Sequence, residues 1–430
     1  MSLNNNNETK SKNLASSIFF RFIFLYLILY ILPFPFSLIP FSEYITTPLH
    51  NVFVKLLDAA GPLLLKQYYN PLHGPTGSGD TSLKYTEAFM LVIFAGIGSI
   101  IWTLILKKEE YYAKLSAILE VLVRYYLAAT LFGYGFSKVI PLQFSLPNAQ
   151  RMNTTYGESS LMGLAWTFMG SSPGYTILSG CIEVAAGIFL LFHRTRLLGA
   201  IVSVVVFINV FALNIFYNIP VKLFSLHLLL VSVLILAMNA KRLLGFFFLN
   251  STIAAEEPQI HFKNTGRSKI IYYTLNVLLI CILILPPLVG SIGQQQNRQA
   301  QNLSRSGTIM GEYTISHFSL NGDTVSSTDT NTRRWKSLKI SGNILNVTHM
   351  DGFIIPWYCS VLNGSHKIRL SSKDLTTTGE FDFKTEGKTL HLSGYMNQDT
   401  LNIVAHKTSD NPYLLLEDRF QWISEEPFYR

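Results

Sequence analysis

Leu197–Tyr217 reads LLGAIVSVVVFINVFALNIFY, and Val221–Met238 reads VKLFSLHLLLVSVLILAM. At 1.5 Å of rise per residue, each run is long enough to cross about 27–32 Å of hydrocarbon as a helix. Their neighbours read the same way. Leu115–Ile140 and Tyr175–Phe192 are also apolar runs of spanning length, so Tyr112–Phe248 reads as four membrane spans. Further out, Phe19–Phe41, Ala88–Leu106 and Ile270–Val289 bring the expectation to about seven. The run from Phe19 is broken by Pro33, Pro35 and Pro40, so it is expected to lose helix at its far end. No small-residue cleavage site follows it, and it reads as a retained span.

The composition agrees. The chain has 430 residues, 49% of them hydrophobic and 14% charged, with a formal net charge of +8. An ordinary soluble domain has about 25% charged residues. The basic residues sit at span ends: Lys10 and Lys12, Lys107 and Lys108, Arg194 and Arg196, Lys241 and Arg242, then Lys263, Arg267 and Lys269. With seven spans, all five clusters fall on one side. The positive-inside rule makes that side cytoplasmic, with the amino terminus inside and the carboxyl terminus outside a cytoplasmic (inner) membrane. The positive charge therefore reads as topology and lipid contact, not as nucleic-acid binding. The three cysteines, Cys181, Cys281 and Cys359, form no CxxC and no disulfide framework.

The expected organisation is a polar tail at 1–13, two spans with an outer loop at 14–111, and the four-helix core at 112–248. A cytoplasmic loop and last span occupy 249–290, and a linker 291–310. From 311 to 430 short alternating runs recur between turns such as Asn321-Gly322 and Glu386-Gly387. Examples are the runs from Glu312, Trp335, Lys367, Glu380, Thr389 and Leu401. That period of two predicts an antiparallel β domain, a small barrel or sandwich, outside the membrane. Leu49–Lys66 reads as an amphipathic interfacial helix, and Leu161–Met169 as a short helix beyond the spans.

Gly74-Pro75-Thr76-Gly77-Ser78-Gly79-Asp80-Thr81 nearly matches a phosphate-binding loop. Asp80 stands where that motif needs lysine, and no strand precedes it, so nucleotide binding is excluded. Gly77, Gly79 and Asp80 instead mark a capped turn or a polar lid over the outer mouth of the bundle. Within the spans, ionisable residues are costly and usually face a bundle interior with a partner. Arg124 and Glu183 fall near mid-membrane and are expected to pair as a structural clamp. Tyr134, Lys138, Asn214, Tyr217, Lys222 and His227 fall in the outer half. They form a candidate pocket for quinone carbonyls or an anionic head group. His227 is the group suited to proton transfer. His317, His391 and His406 lack metal-ligand spacing, and no metal site is expected. Asn346 and Asn363 open glycosylation sequons, relevant only in a secretory-pathway host.

Residues 112–248 resemble the DoxX family of four-helix membrane proteins. The resemblance is carried by Arg124-Tyr-Tyr-Leu-Ala with Tyr134-Gly-Phe-Ser-Lys138, by Glu183-Val-Ala-Ala-Gly187 with Arg194-Thr-Arg-Leu-Leu-Gly199, and by Asn214-Ile-Phe-Tyr217 through Lys222 to His227. The whole chain is similar to a longer Bacteroidetes-type variant. That similarity rests on Gly77-Ser-Gly-Asp-Thr81, Tyr156 to Gly170 and the closing Phe420 to Arg430. The resemblance implies a membrane subunit of a quinone-linked oxidoreductase, the family name coming from one acting on thiosulfate. No haem pair, flavin fold or nucleotide fingerprint is present, so it implies quinone as carrier or a partner that brings the cofactor. The alternative is a non-enzymatic lipid or small-molecule carrier, or an envelope scaffold whose outer β domain recruits a protein partner. A transporter is a third class, for which no inverted repeat is visible.

Overall fold

A computed structural model describes residues 14–36, 41–66, 77–106, 111–148, 151–152, 154–249, 266–305, 309–326, 333–341, 344–361, 366–372, 378–409 and Leu415. The chain divides into two compact units. The first comprises Met1–Val139 with Leu178–Gly290, and the second Ile140–Ile177 with Ser291–Arg430.

The first unit is helical. It contains α1 (Leu14–Ile31), α2 (Glu43–Leu65), α3 (Ser82–Ile105), α4 (Tyr112–Val139), most of α6 (Pro173–Leu191), α7 (Arg196–Phe216), α8 (Lys222–Met238), α9 (Ala240–Phe247) and the first part of α10 (Gly266–Arg305). Helix α5 (Leu161–Ser171) belongs to the second unit, as the short helix predicted there. Among the described residues, five helices are long and apolar enough to cross a membrane. They are α3, α4, α6, α7 and the stretch Val277–Arg298 of α10. A sixth results if α8 and α9, bent by 73° at Asn239, count as one span. The chain is a multi-pass membrane protein. A further apolar helix, α1, is described in its side chains over Ser17–Ile31, and it ends at Ile31, before Pro33 and Pro35, which lack the backbone donors that would continue it.

The core is built around α4. Leu119, Val123, Leu127, Leu131 and Phe132 are buried against Ala186 and Leu190 of α6, Ala200 and Phe207 of α7, and Leu228, Val231 and Ile235 of α8. Leu27 and Ile31 of α1 and Leu283 of α10 close the same cluster. At two places the backbones of α4 and α6 nearly touch. A Cβ on Gly180 would lie 2.7 Å from the Gly135 carbonyl oxygen, and one on Gly187 would lie 2.9 Å from the Phe132 ring. Small residues permit this approach, as is common between membrane helices. The contacts run in opposite directions along the two helices, so α4 and α6 are antiparallel with Phe132 level with Gly187.

The β part of the second unit is a closed antiparallel barrel of eight strands. Its strands are β1 (Gly311–Leu320), β3 (Trp335–Ser341), β4 (Ile344–His349), β5 (Ile354–Val361), β6 (Lys367–Ser371), β7 (Thr378–Glu386), β8 (Thr389–Met396) and β9 (Asp399–Ser409). The two-residue β2 (Asp323–Thr324) adds to β1. Sequence neighbours pair throughout, and β1 returns to pair with β9, which removes the free edge. Alternate residues point inward. Phe318, Leu338, Leu345, Ile368, Phe381 and Leu390 are fully buried. Burial also pushes the Cys359 thiol up to about 12, so it stays protonated in the core. Asn346 is buried on β4, so its sequon is closed to modification in the folded domain. Asn363 lies outside the described residues.

Candidate functional site

Of the predicted polar residues of the core, Arg124, Lys138, Glu183, Asn214 and His227 are buried, Lys222 is half-buried, and Tyr134 and Tyr217 are exposed, and they divide among separate partners. Glu183 and Lys138 form an ion pair between α6 and α4, with Oε1 accepting from Nζ. Both residues are buried, at 4% and 7% exposure. The other carboxylate oxygen, Oε2, is buried and has no hydrogen-bond partner. Gly180 makes room for the pair, since its missing Cβ would lie 2.8 Å from the Lys138 Cβ. Tyr134, one turn before Lys138, packs its ring 6.2 Å from Phe224.

The expected Arg124–Glu183 clamp is therefore replaced by Lys138–Glu183. The reason is register. Arg124 lies 14 residues before Lys138 on the same helix, about 21 Å along the axis at 1.5 Å per residue. Arg124 is 6% exposed, with its guanidinium 5.2 Å from the Tyr125 ring and its Nε buried without a hydrogen-bond partner.

His227 sits in an aromatic nest that the sequence reading missed. Its Nδ1 lies 2.7 Å from the Leu223 carbonyl, which can only accept, so Nδ1 carries the proton. In the neutral ring Nε2 then accepts from the Tyr26 hydroxyl at 2.6 Å. The ring stacks on Tyr30 at 4.2 Å with 9° between planes, and Tyr126 meets Tyr30 edge-on at 6.4 Å. Tyr26 and Tyr30 are four apart on α1 and so share a face. That spacing was the available signal, hidden in a run read only as apolar.

Asp80 is a helix cap. Its carboxylate accepts from the backbone N–H of Lys222 at 2.9 Å and of Leu223 at 3.0 Å, and Lys222 Nζ lies 3.5 Å away. The Gly79 N–H donates to the Pro220 carbonyl at 2.7 Å. Gly77 takes φ +77°. The loop whose pattern approaches a phosphate-binding motif thus supplies its own anion to the amino terminus of α8. Gly74–Thr76, the start of the lid reading's loop, lies outside the described residues. Asn214 donates to Ser225 Oγ at 2.9 Å, joining α7 to α8 below that cap, and Tyr217 is 38% exposed at the end of α7. Asp80→Ala is expected to lower stability by about 1–2 kcal/mol, the range for a lost amino-terminal cap. Urea or dodecyl sulfate unfolding of the purified chain measures it.

YwoB of Bacillus subtilis (strain 168), an uncharacterized protein, is 31% identical over 124 residues, which cover 29% of this chain and 79% of that protein. The chain belongs to the YwoB family. No protein-family model matches it, and no solved structure does. The YwoB relationship brings no ligand, so the chemistry rests on geometry alone. Among the described residues no group of three or more His, Cys, Asp or Glu is placed to hold a metal. What the helical core offers is an ammonium and a half-used carboxylate at one level of α4 and α6, and a tyrosine–histidine hydrogen bond between α1 and α8.

Proposed function

We propose that this protein binds a quinone within its helical core and serves as the membrane subunit of an oxidoreductase. The observation that carries this reading is Glu183 Oε2, a buried carboxylate oxygen without a partner beside the Lys138 ammonium. A ligand that donates a hydroxyl to Oε2 and accepts from Lys138 completes both groups. A quinol does both on one apolar ring, because each of its hydroxyls donates through O–H and accepts through oxygen. The resemblance of residues 112–248 to DoxX proteins supports the same class. Electrons would come from a centre held by a partner subunit. The basic span ends favour an inner membrane with the Asp80 end and the β domain outside. The test is a titration of the detergent-purified chain with a short-chain benzoquinol kept reduced under nitrogen, read by tyrosine and tryptophan quenching. Glu183→Gln should bind about tenfold more weakly or worse, the change for one lost charge-assisted bond. Equal affinity in wild type and variant overturns the reading.

A second reading makes the β domain the working part, as a scaffold that recruits a protein partner. Its support is the β4–β5 connection, where Phe353 is 73% and Ile354 63% exposed. Exposed apolar clusters of this kind mark interaction sites.

A further inference from the structure

We infer that the core holds a second site, at the α6–α7 turn, for an oxyanion carrying one negative charge. It is independent of the quinone reading. The register of α4 against α6 places it. Phe132 is level with Gly187. Beyond Leu191, where α6 ends, Thr195 turns back and its hydroxyl donates to the Phe189 carbonyl at 2.8 Å, and Arg196, the first residue of α7, reaches Glu120, one turn from Arg124 on α4. Arg124 is thus level with the amino terminus of a 21-residue helix. That terminus carries the positive end of the helix dipole and unused backbone donors.

The side chains at this level leave a positive charge uncompensated. Glu120 lies one turn before Arg124 on α4, and its Oε1 is 3.1 Å from Arg196 Nε on α7. Arg196 Nη2 also donates to Asn239 Oδ1 at 3.3 Å. Glu120 is therefore charge-paired across the helices, at an angle that makes no hydrogen bond between those two atoms. Arg124 lies one turn after Glu120 on the same face of α4, with its guanidinium 5.2 Å from the Tyr125 ring. Yet Arg124, at 6% exposure, forms no ion pair among the described residues, and its Nε has no acceptor. A buried guanidinium in an apolar bundle calls for an anion. Arg194 in the turn is exposed, and the groups withdrawn from solvent, Arg124, Glu120 and Arg196, sum to one positive charge, so a singly charged oxyanion neutralises them. The planar fork of arginine suits the paired oxygens of a phosphoryl group. Two sources present that chemistry: the phosphodiester of a lipid head group, and free dihydrogen phosphate.

The test uses the full chain, delipidated in neutral detergent, with its thermal midpoint followed during three titrations. The probes are phosphatidylglycerol in mixed micelles, phosphatidylcholine in the same micelles, and sodium phosphate. A binding ligand raises the midpoint with concentration. A rise with phosphatidylglycerol alone identifies the head group, and a rise with phosphate identifies a free anion; both support the site. Arg124→Met should weaken the effective ligand about tenfold or more. Glu120→Gln removes the competing carboxylate and should strengthen binding in the same assay. This second variant keeps the test decisive if Arg124→Met does not fold. No midpoint change with any anionic probe, or equal binding in wild type and both variants, overturns the site.

Discussion

The Lys138→Met variant is expected to lose about 3–5 kcal/mol of stability, the range for breaking a buried ion pair. The loss comes from Glu183. With Lys138 gone, a carboxylate 4% exposed would have neither of its oxygens paired. The single change Glu183→Met should cost a similar amount by stranding the ammonium. The double variant Lys138→Met/Glu183→Met should recover most of the loss, because two apolar side chains in an apolar site strand nothing. The dodecyl sulfate unfolding equilibrium of all four proteins closes a double-mutant cycle. A single variant as stable as wild type would remove the ion pair from any account of how α4 and α6 are held.

The second large effect is expected at Gly180. A Cβ there would lie 2.7 Å from the Gly135 carbonyl oxygen, 2.8 Å from the Val139 nitrogen and 2.8 Å from the Lys138 Cβ. Two of these are backbone atoms and cannot rotate away, so the helices must separate. Gly180→Ala should cost about 1–3 kcal/mol, and Gly180→Val more. Separation also pulls Lys138 from Glu183, so the effects of Gly180→Ala and Lys138→Met should not add. Gly96 in α3 is the control. Nothing lies within 4 Å of a Cβ at that position, and alanine there should be neutral or stabilise by up to about 1 kcal/mol. The same unfolding assay reads both. A Gly180→Ala protein as stable as wild type would contradict the close crossing.

These contacts explain what was legible in the sequence. The four-helix core and the barrel were readable because apolar length and period-two alternation are local signals. Strands β4 and β5 were not picked out, because Ile354-Ile-Pro-Trp-Tyr-Cys shows no alternation and Asn346-Val-Thr reads first as a sequon. The pairing of Glu183 was misjudged for a different reason. Depth had been counted from span limits, whereas α4 runs 28 residues and α6 only 19, so their midpoints are not level. The glycine crossing sets their register, and no single helix contains that information. Asp80 was recognised as hostile to phosphate, but its target, the first turn of α8, lies 142 residues away. Tyr26 and Tyr30 escaped because their partner His227 is more remote still, 201 residues from Tyr26.

Quinone binding at the Lys138–Glu183 level is the central functional claim. The most direct test is a solvent extract of the full chain, purified in mild detergent and assayed for quinone against an unrelated membrane protein prepared in parallel. The account predicts quinone approaching one per chain in wild type and background in Glu183→Gln. Background quinone in the wild-type protein would contradict it.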